Sequence, residues 1–290
     1  MNLNLFCNPF LLLWSLQTLS RASSTLTTLH VGYEKSTSGI HSTLQRWYSS
    51  PEGNARETLK FPVLEEFSFG PGQRVAFHDP TATLGSPELS SFVVTFLALH
   101  PTIARLDLTD VKPPRLAPQQ PFLPNLRSLK SDLKLAGWIL TNRAGPPTSL
   151  FEIVLRIFPP NLDVFQSTTL SSFHFLSLMT SSQLTFEFMH SSLCLQDWFR
   201  DHLSPEFHSR TQLVGICHIT LRFLGHFART WSRWCICDPE CRELFHQWLN
   251  AFPDLEEVKI EMRVMGSNHE DEETRCAVDE EFLADLFGRF

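Results

Sequence analysis

The chain has 290 residues, 42% hydrophobic and 19% charged, a composition that belongs to a folded globular protein rather than a disordered tail. Its net charge is −7 and it has no lysine/arginine block, which argues against the basic stripe that a nucleic-acid or anionic-membrane binder needs. Seven cysteines, an odd number scattered over a long chain, and no Asn-x-Ser/Thr sequon do not form a disulfide framework and suit a reducing cytoplasm or nucleus.

Taken in chain order, the first feature is the apolar run Phe10-Leu11-Leu12-Leu13-Trp14-Ser15-Leu16. It resembles the core of a signal peptide within residues 1–24, but no Lys or Arg precedes Arg21 and the positive flank is missing. It is also far short of the ~20 residues of a membrane span, so it reads as a buried helix feeding the first repeat. From Leu26 a short frame begins to recur: apolar-x-x-apolar-x-apolar. The clearest copies open with a bulky residue and proline, as in Phe61-Pro62-Val63-Leu64-Glu65-Glu66-Phe67-Ser68-Phe69 and Phe252-Pro253-Asp254-Leu255-Glu256-Glu257-Val258-Lys259-Ile260. His100 to Leu108 and Leu123 to Ser131 are two more, the latter with Ser131 in the last apolar slot. Leu26 to Val31, Leu170 to Phe175 and Ile216 to Leu221 follow the frame without the proline.

The frame alone would occur about four times by chance at this hydrophobicity. Two further regularities decide for a repeat. Proline stands two places ahead of the frame in four of the seven copies, although only 19 of 290 residues are proline. The residue between the last two apolar slots is polar in every copy: His30, Ser68, Asp107, Lys130, His174, Thr220 and Lys259. On a strand, the two apolar residues face one side and the polar residue the other. Proline marks a helix-to-strand joint, because it fixes φ and cannot continue a helix.

Helical patterns precede two of these copies. Ser86-Pro87-Glu88 predicts an N-cap with proline at the first helical position, followed by the apolar face Phe92, Val93, Phe96 and Leu97. Asp238-Pro239-Glu240 predicts a second, with Leu244, Phe245, Trp248 and Leu249. The run Leu150 to Pro159 reads as a core helix. The frames start at 26, 64, 103, 126, 170, 216 and 255. A helix-strand unit of this kind cannot bury its own apolar faces, so its neighbours must stack.

The chemistry-bearing constellations are few. Cys235, Cys237 and Cys241 with His226 and His246 are spaced unlike a zinc site, which favours paired cysteines two residues apart, and read as buried or idle thiols. Glu65/Glu66 and Glu256/Glu257 occupy the same slots of two copies and predict a solvated edge rather than an acid/base pair. His269 to Glu273 lies in an expected acidic loop, 265–278, and Asp279 to Phe287 reads as a last helix. No H-E-x-x-H, G-x-S-x-G or phosphate-binding glycine loop occurs. The expectation is therefore no enzyme, no cofactor and no metal.

The copies at 61–69, 100–108, 123–131 and 252–260 resemble the repeats of F-box/leucine-rich-repeat proteins, substrate receptors of cullin-based ubiquitin ligases. The resemblance implies an α/β fold: an irregular leucine-rich-repeat-like solenoid over residues 1–290 as a single domain, parallel strands on the concave face and helices outside. It also implies a protein partner, with a ubiquitin-ligase adaptor only where an F-box lies upstream of the repeats. No F-box is found here, and the run from Leu150 echoes the start of one without its leading proline. A freestanding repeat scaffold is the alternative. Binding contacts are expected on the polar strand residues His30, Ser68, Asp107, Lys130, His174, Thr220 and Lys259, with Arg105 and Arg127 as anchors.

Overall fold

A computed structural model describes residues 1–7, 18–19, 24–33, 60–71, 87–109, 111–114, 122–144, 150–157, 183–188, 215–224, 239–250 and 252–263. The chain divides into two compact units, Met1–Ser149 and Leu150–Phe290. Strands β1 (Asn2–Cys7), β2 (Thr28–Tyr33), β3 (Glu66–Pro71), β4 (Arg105–Leu108) and β5 (Ser128–Asp132) belong to the first. So do helices α1 (Pro87–Ala98) and α2 (Leu133–Asn142). The second holds β6 (Glu152–Ile157), β7 (Gln183–Phe188), β8 (His218–Leu224), β9 (Glu257–Arg263) and helix α3 (Pro239–Leu249).

Within each unit every strand pairs in parallel with the next one in the chain. Parallel neighbours in strict sequence order, with helices among their connections, make each unit a leucine-rich-repeat-like α/β solenoid. The register follows the sequence frame. Leu29, Phe67, Leu106 and Leu129 align across β2 to β5, and Ile153, Leu184, Ile219 and Val258 align across β6 to β9. All eight are buried. Each large side chain so buried contributes roughly 1.5–3 kcal/mol of hydrophobic stabilisation.

Helix α1 buries the predicted face, Phe92, Val93, Phe96 and Leu97, against the strands. Phe96 lies 4.5 Å from Phe67 and Phe92 lies 6.2 Å from Phe69, ring centre to ring centre. In α3, Phe245, Trp248 and Leu249 are buried and Leu244 is half-buried, and Trp248 meets Phe186 of β7 edge-on at 5.6 Å. The predicted capping residues Ser86 and Asp238 lie outside the described residues. Helix α2 has no counterpart among the predicted elements. Asp132 caps it, its carboxylate accepting from the Leu135 amide at 2.9 Å, and Leu135, Ala136 and Ile139 form its buried face.

The proline copies share one local structure. The amide of Leu64 donates to the Phe61 carbonyl, Ile103 to His100, Leu126 to Leu123 and Leu255 to Phe252, at 3.2 to 3.3 Å. Each phrase is thus a β-turn with proline at its second position, where a φ near −65° is already in place. The third turn residue has negative φ in all four, the signature of type I. Gly215, which fills that slot in the proline-free copy before β8, has φ 88°, in the left-handed region that glycine enters without a Cβ clash. Side chains at this slot stitch successive turns together. Thr102 donates to the Leu64 carbonyl at 2.7 Å, Asn125 to the Pro101 carbonyl at 2.9 Å, and Asp254 accepts from the Gly215 amide at 2.7 Å.

The run from Leu150 corrects the sequence reading: it is strand β6, not a helix. Leu150, Ile153 and Leu155 fill the three apolar slots and are buried, with Val154 in the slot that is polar elsewhere. An apolar residue there erases the alternation that marks a strand, and β-branched Ile153 and Val154 favour the extended state. Two strands, β6 and β7, lie between β5 and β8, where the sequence suggested one frame at Leu170 to Phe175. That frame lies outside the described residues, as do Phe10 to Leu16, the 265–278 segment and Asp279 to Phe287. Among the described residues no helix is long and apolar enough to cross a membrane.

Candidate recognition surface

Because strand side chains alternate, the residue between two core positions projects from the opposite face. In the first unit this produces a row of polar residues in register: Asn4 beside His30, His30 beside Ser68, Ser68 beside Asp107, and Asp107 beside Lys130. His30, Ser68, Asp107 and Lys130 are all half-buried. Four of the predicted contact residues therefore form one row. A second row runs two residues upstream on each strand, with Glu66 beside Arg105 and Arg105 beside Ser128.

Arg105 is 61% exposed along its side chain, and its Nη2 and Nε donate to Oε2 of Glu66 at 2.8 and 3.1 Å. The pair fixes the guanidinium across two strands while leaving most of it in solvent. His30 Nε2 stands 3.9 Å from the other oxygen of Glu66. Glu66 is thus the hub of this part of the face, a role the sequence reading assigned only to a solvated edge. Arg127 is exposed in the turn ahead of β5 and stands in neither row.

In the second unit Thr220 and Lys259 are neighbours in register, Thr220 half-buried and Lys259 exposed. Lys259 Nζ lies 3.3 Å from Glu257, and His218 Nε2 lies 3.9 Å from the same carboxylate. Towards β6 the character of the face changes, since Val154 and Thr185, which continue the row, are both buried. His174 lies outside the described residues.

One position beyond the last apolar slot of each frame, the second unit carries a line of alternating charge. Arg156, Glu187, Arg222 and Glu261 are consecutive register partners. Arg156 Nε donates to Glu187 at 3.2 Å, Arg222 Nη1 donates to the other Glu187 oxygen at 3.1 Å, and Arg222 Nε donates to Glu261 at 2.7 Å. Glu187 is 4% exposed and would be costly there without both arginines. Burial alone would make Arg222 easier to deprotonate, but hydrogen bonds to Glu261 and Glu187 outweigh it and raise its pKa above the ordinary value. Extending the frame by one residue exposes this Arg-Glu-Arg-Glu order in the sequence. The ladder satisfies its own charges and offers little to a ligand.

Among the described residues no three His, Cys, Asp or Glu side chains are grouped as metal ligands. Cys235, Cys237 and His226 lie outside the described residues, as does the side chain of Cys241. The surface is thus a set of polar strand rows, suited to hydrogen bonding and ion pairing over an extended area.

No protein-family model and no curated protein matches the chain. Among solved structures it is similar to the leucine-rich repeat-containing protein LegL7 from Legionella pneumophila. The two share 14% identity and a TM-score of 0.46, over all of this chain and 73% of that one.

Proposed function

We propose that this protein is a non-enzymatic recognition scaffold whose polar strand rows hold a protein partner in the cytoplasm or nucleus. The in-register row His30, Ser68, Asp107 and Lys130, flanked by the Arg105–Glu66 pair, carries this reading. Repeats of this class use such faces for extended contacts, in which a few residues dominate the affinity. Arg105 is the strongest anchor by this criterion: it is exposed, preorganised by Glu66 and able to grip a carboxylate with two N–H groups. The resemblance to F-box receptor repeats extends the reading to a ubiquitin-ligase substrate receptor. A scaffold with no ligase role is the alternative.

The test uses tagged full-length chain expressed in cells, beside the double variant Arg105→Ala/Asp107→Ala. Both changes are on the polar face and should leave circular dichroism and melting unchanged. A partner whose recovery falls at least tenfold with the variant supports the reading. An identical set of captured proteins overturns it. Adaptor and cullin subunits in the wild-type capture would support the ligase role, and a partner without them would support the freestanding scaffold.

A further inference from the structure

His100 occupies the slot held by Phe61, Leu123 and Phe252 in the other proline turns, and it is 1% exposed. Its ring is bonded on both sides. Nε2 accepts the Phe61 amide proton at 3.0 Å, and Nδ1 stands 2.6 Å from the Phe96 carbonyl. These two bonds require the neutral Nδ1–H tautomer: Nδ1–H donates to the end of α1, and Nε2 takes the amide that opens the β3 turn. The ring also stacks on Phe96 at 4.1 Å and on Phe61 at 5.6 Å. One side chain therefore joins the last turn of a helix to the turns of two successive strands. The residue is chemically distinct from its counterparts, since leucine or phenylalanine fills the same hole without a hydrogen bond.

We propose that His100 is a proton-released latch: neutral, it ties α1 to the β3 turn, and protonated, it lets that joint open. The proton, taken from solvent, would bind Nε2 and turn the acceptor into a donor. Two N–H groups would then point at each other, and the Phe61 amide would lose its buried partner. The imidazolium would also be enclosed by two phenylalanine rings, whose faces offset only part of its lost hydration.

The groups around the ring offset only part of the cost of burying the cation. Lys60 and Glu65 are exposed and Glu66 is half-buried and tied to Arg105, which leaves the carbonyl end of α1 as the group that favours the cation. Burial lowers the His100 pKa to about 4, against a smaller upward pull from the Phe96 carbonyl. A folded value below the unfolded one means the open state binds more protons. The latch is therefore fully effective above about pH 6.5 and is lost progressively as pH falls towards 4.

Amide hydrogen exchange on the full-length chain, corrected for intrinsic rates, tests the latch between pH 7 and pH 5. The opening equilibrium at Phe61 and the end of α1 is expected to rise about 20-fold in this interval. His100→Gln keeps an acceptor for Phe61 and a donor for Phe96 but does not titrate, so its opening should be nearly flat with pH. Equal pH slopes in the wild type and His100→Gln would overturn the latch. If His100→Gln does not fold, the ring nitrogens of wild-type His100 decide by NMR. A neutral Nδ1–H tautomer persisting at pH 5.5 supports the latch, and protonation above pH 6 overturns it.

Discussion

At the scale of single residues, the charged ladder of the second unit and the Glu66 hub of the first show two ways to place ions on a strand face. Glu66 and Arg105 are partly solvated, so their pair orients a guanidinium more than it stabilises the fold. Glu187 is buried between Arg156 and Arg222, whose side chains are 11% and 18% exposed. Removing one partner there leaves a carboxylate without half of its compensation. Arg222→Met, which keeps the length of the aliphatic stem, should cost roughly 3 kcal/mol in urea unfolding. Glu66→Gln should cost less than about 1 kcal/mol. Equal losses from the two variants would show that the ladder is no more than a surface ion-pair network. The sequence contained the signal, since Arg156, Glu187, Arg222 and Glu261 each directly follow a frame residue. Their alternation becomes visible only once β6 and β7 are recognised as repeats.

At the scale of elements, legibility depends on how completely each copy meets two local requirements, a turn and a one-sided strand. Phe61 to Phe69 and His100 to Leu108 carry proline, three apolar slots and a polar gap, and their strands lie where the frame puts them. Strand β6 reads as a helix in sequence because Val154 fills the gap, and β7 is hidden because Ser181 replaces the first apolar residue. Helix α2 is masked because its cap, Asp132, is also the last residue of β5. The turns themselves are the more informative feature, and they divide into proline and glycine forms with different demands. Gly215→Ala would place a Cβ at φ 88° and should cost about 1–2 kcal/mol. Pro253→Ala, in a turn whose conformation any residue adopts, should cost less than about 1 kcal/mol. Thermal melts of the two single variants check this order. The reverse order would mean that Gly215 is not held in its left-handed conformation.

At the scale of the molecule, the parallel ladders and polar rows follow from period-two alternation, but the pairing of charges across strands does not. Side-chain partners depend on register, and irregular repeat lengths hide register from the sequence. Core positions 129, 153, 184 and 219 are separated by 24, 31 and 35 residues, so no fixed period connects β5 to β8. A stacked array has a thermodynamic signature nonetheless: each repeat is stabilised chiefly by its neighbours, and damage spreads with diminishing strength. We expect residues 1–290 to behave as one such array. Leu106→Ala removes a buried side chain from β4 and should destabilise that repeat by roughly 2–5 kcal/mol. Amide exchange should then show the largest loss of protection at Leu106 and its register partners Phe67 and Leu129, with a smaller but measurable loss at Leu184 and Ile219. Unchanged protection at those two residues, with β3 to β5 weakened, would mean that the two compact units fold independently. Unit-level independence would also confine the His100 latch to the first unit, so one set of exchange measurements bears on both the array and its release.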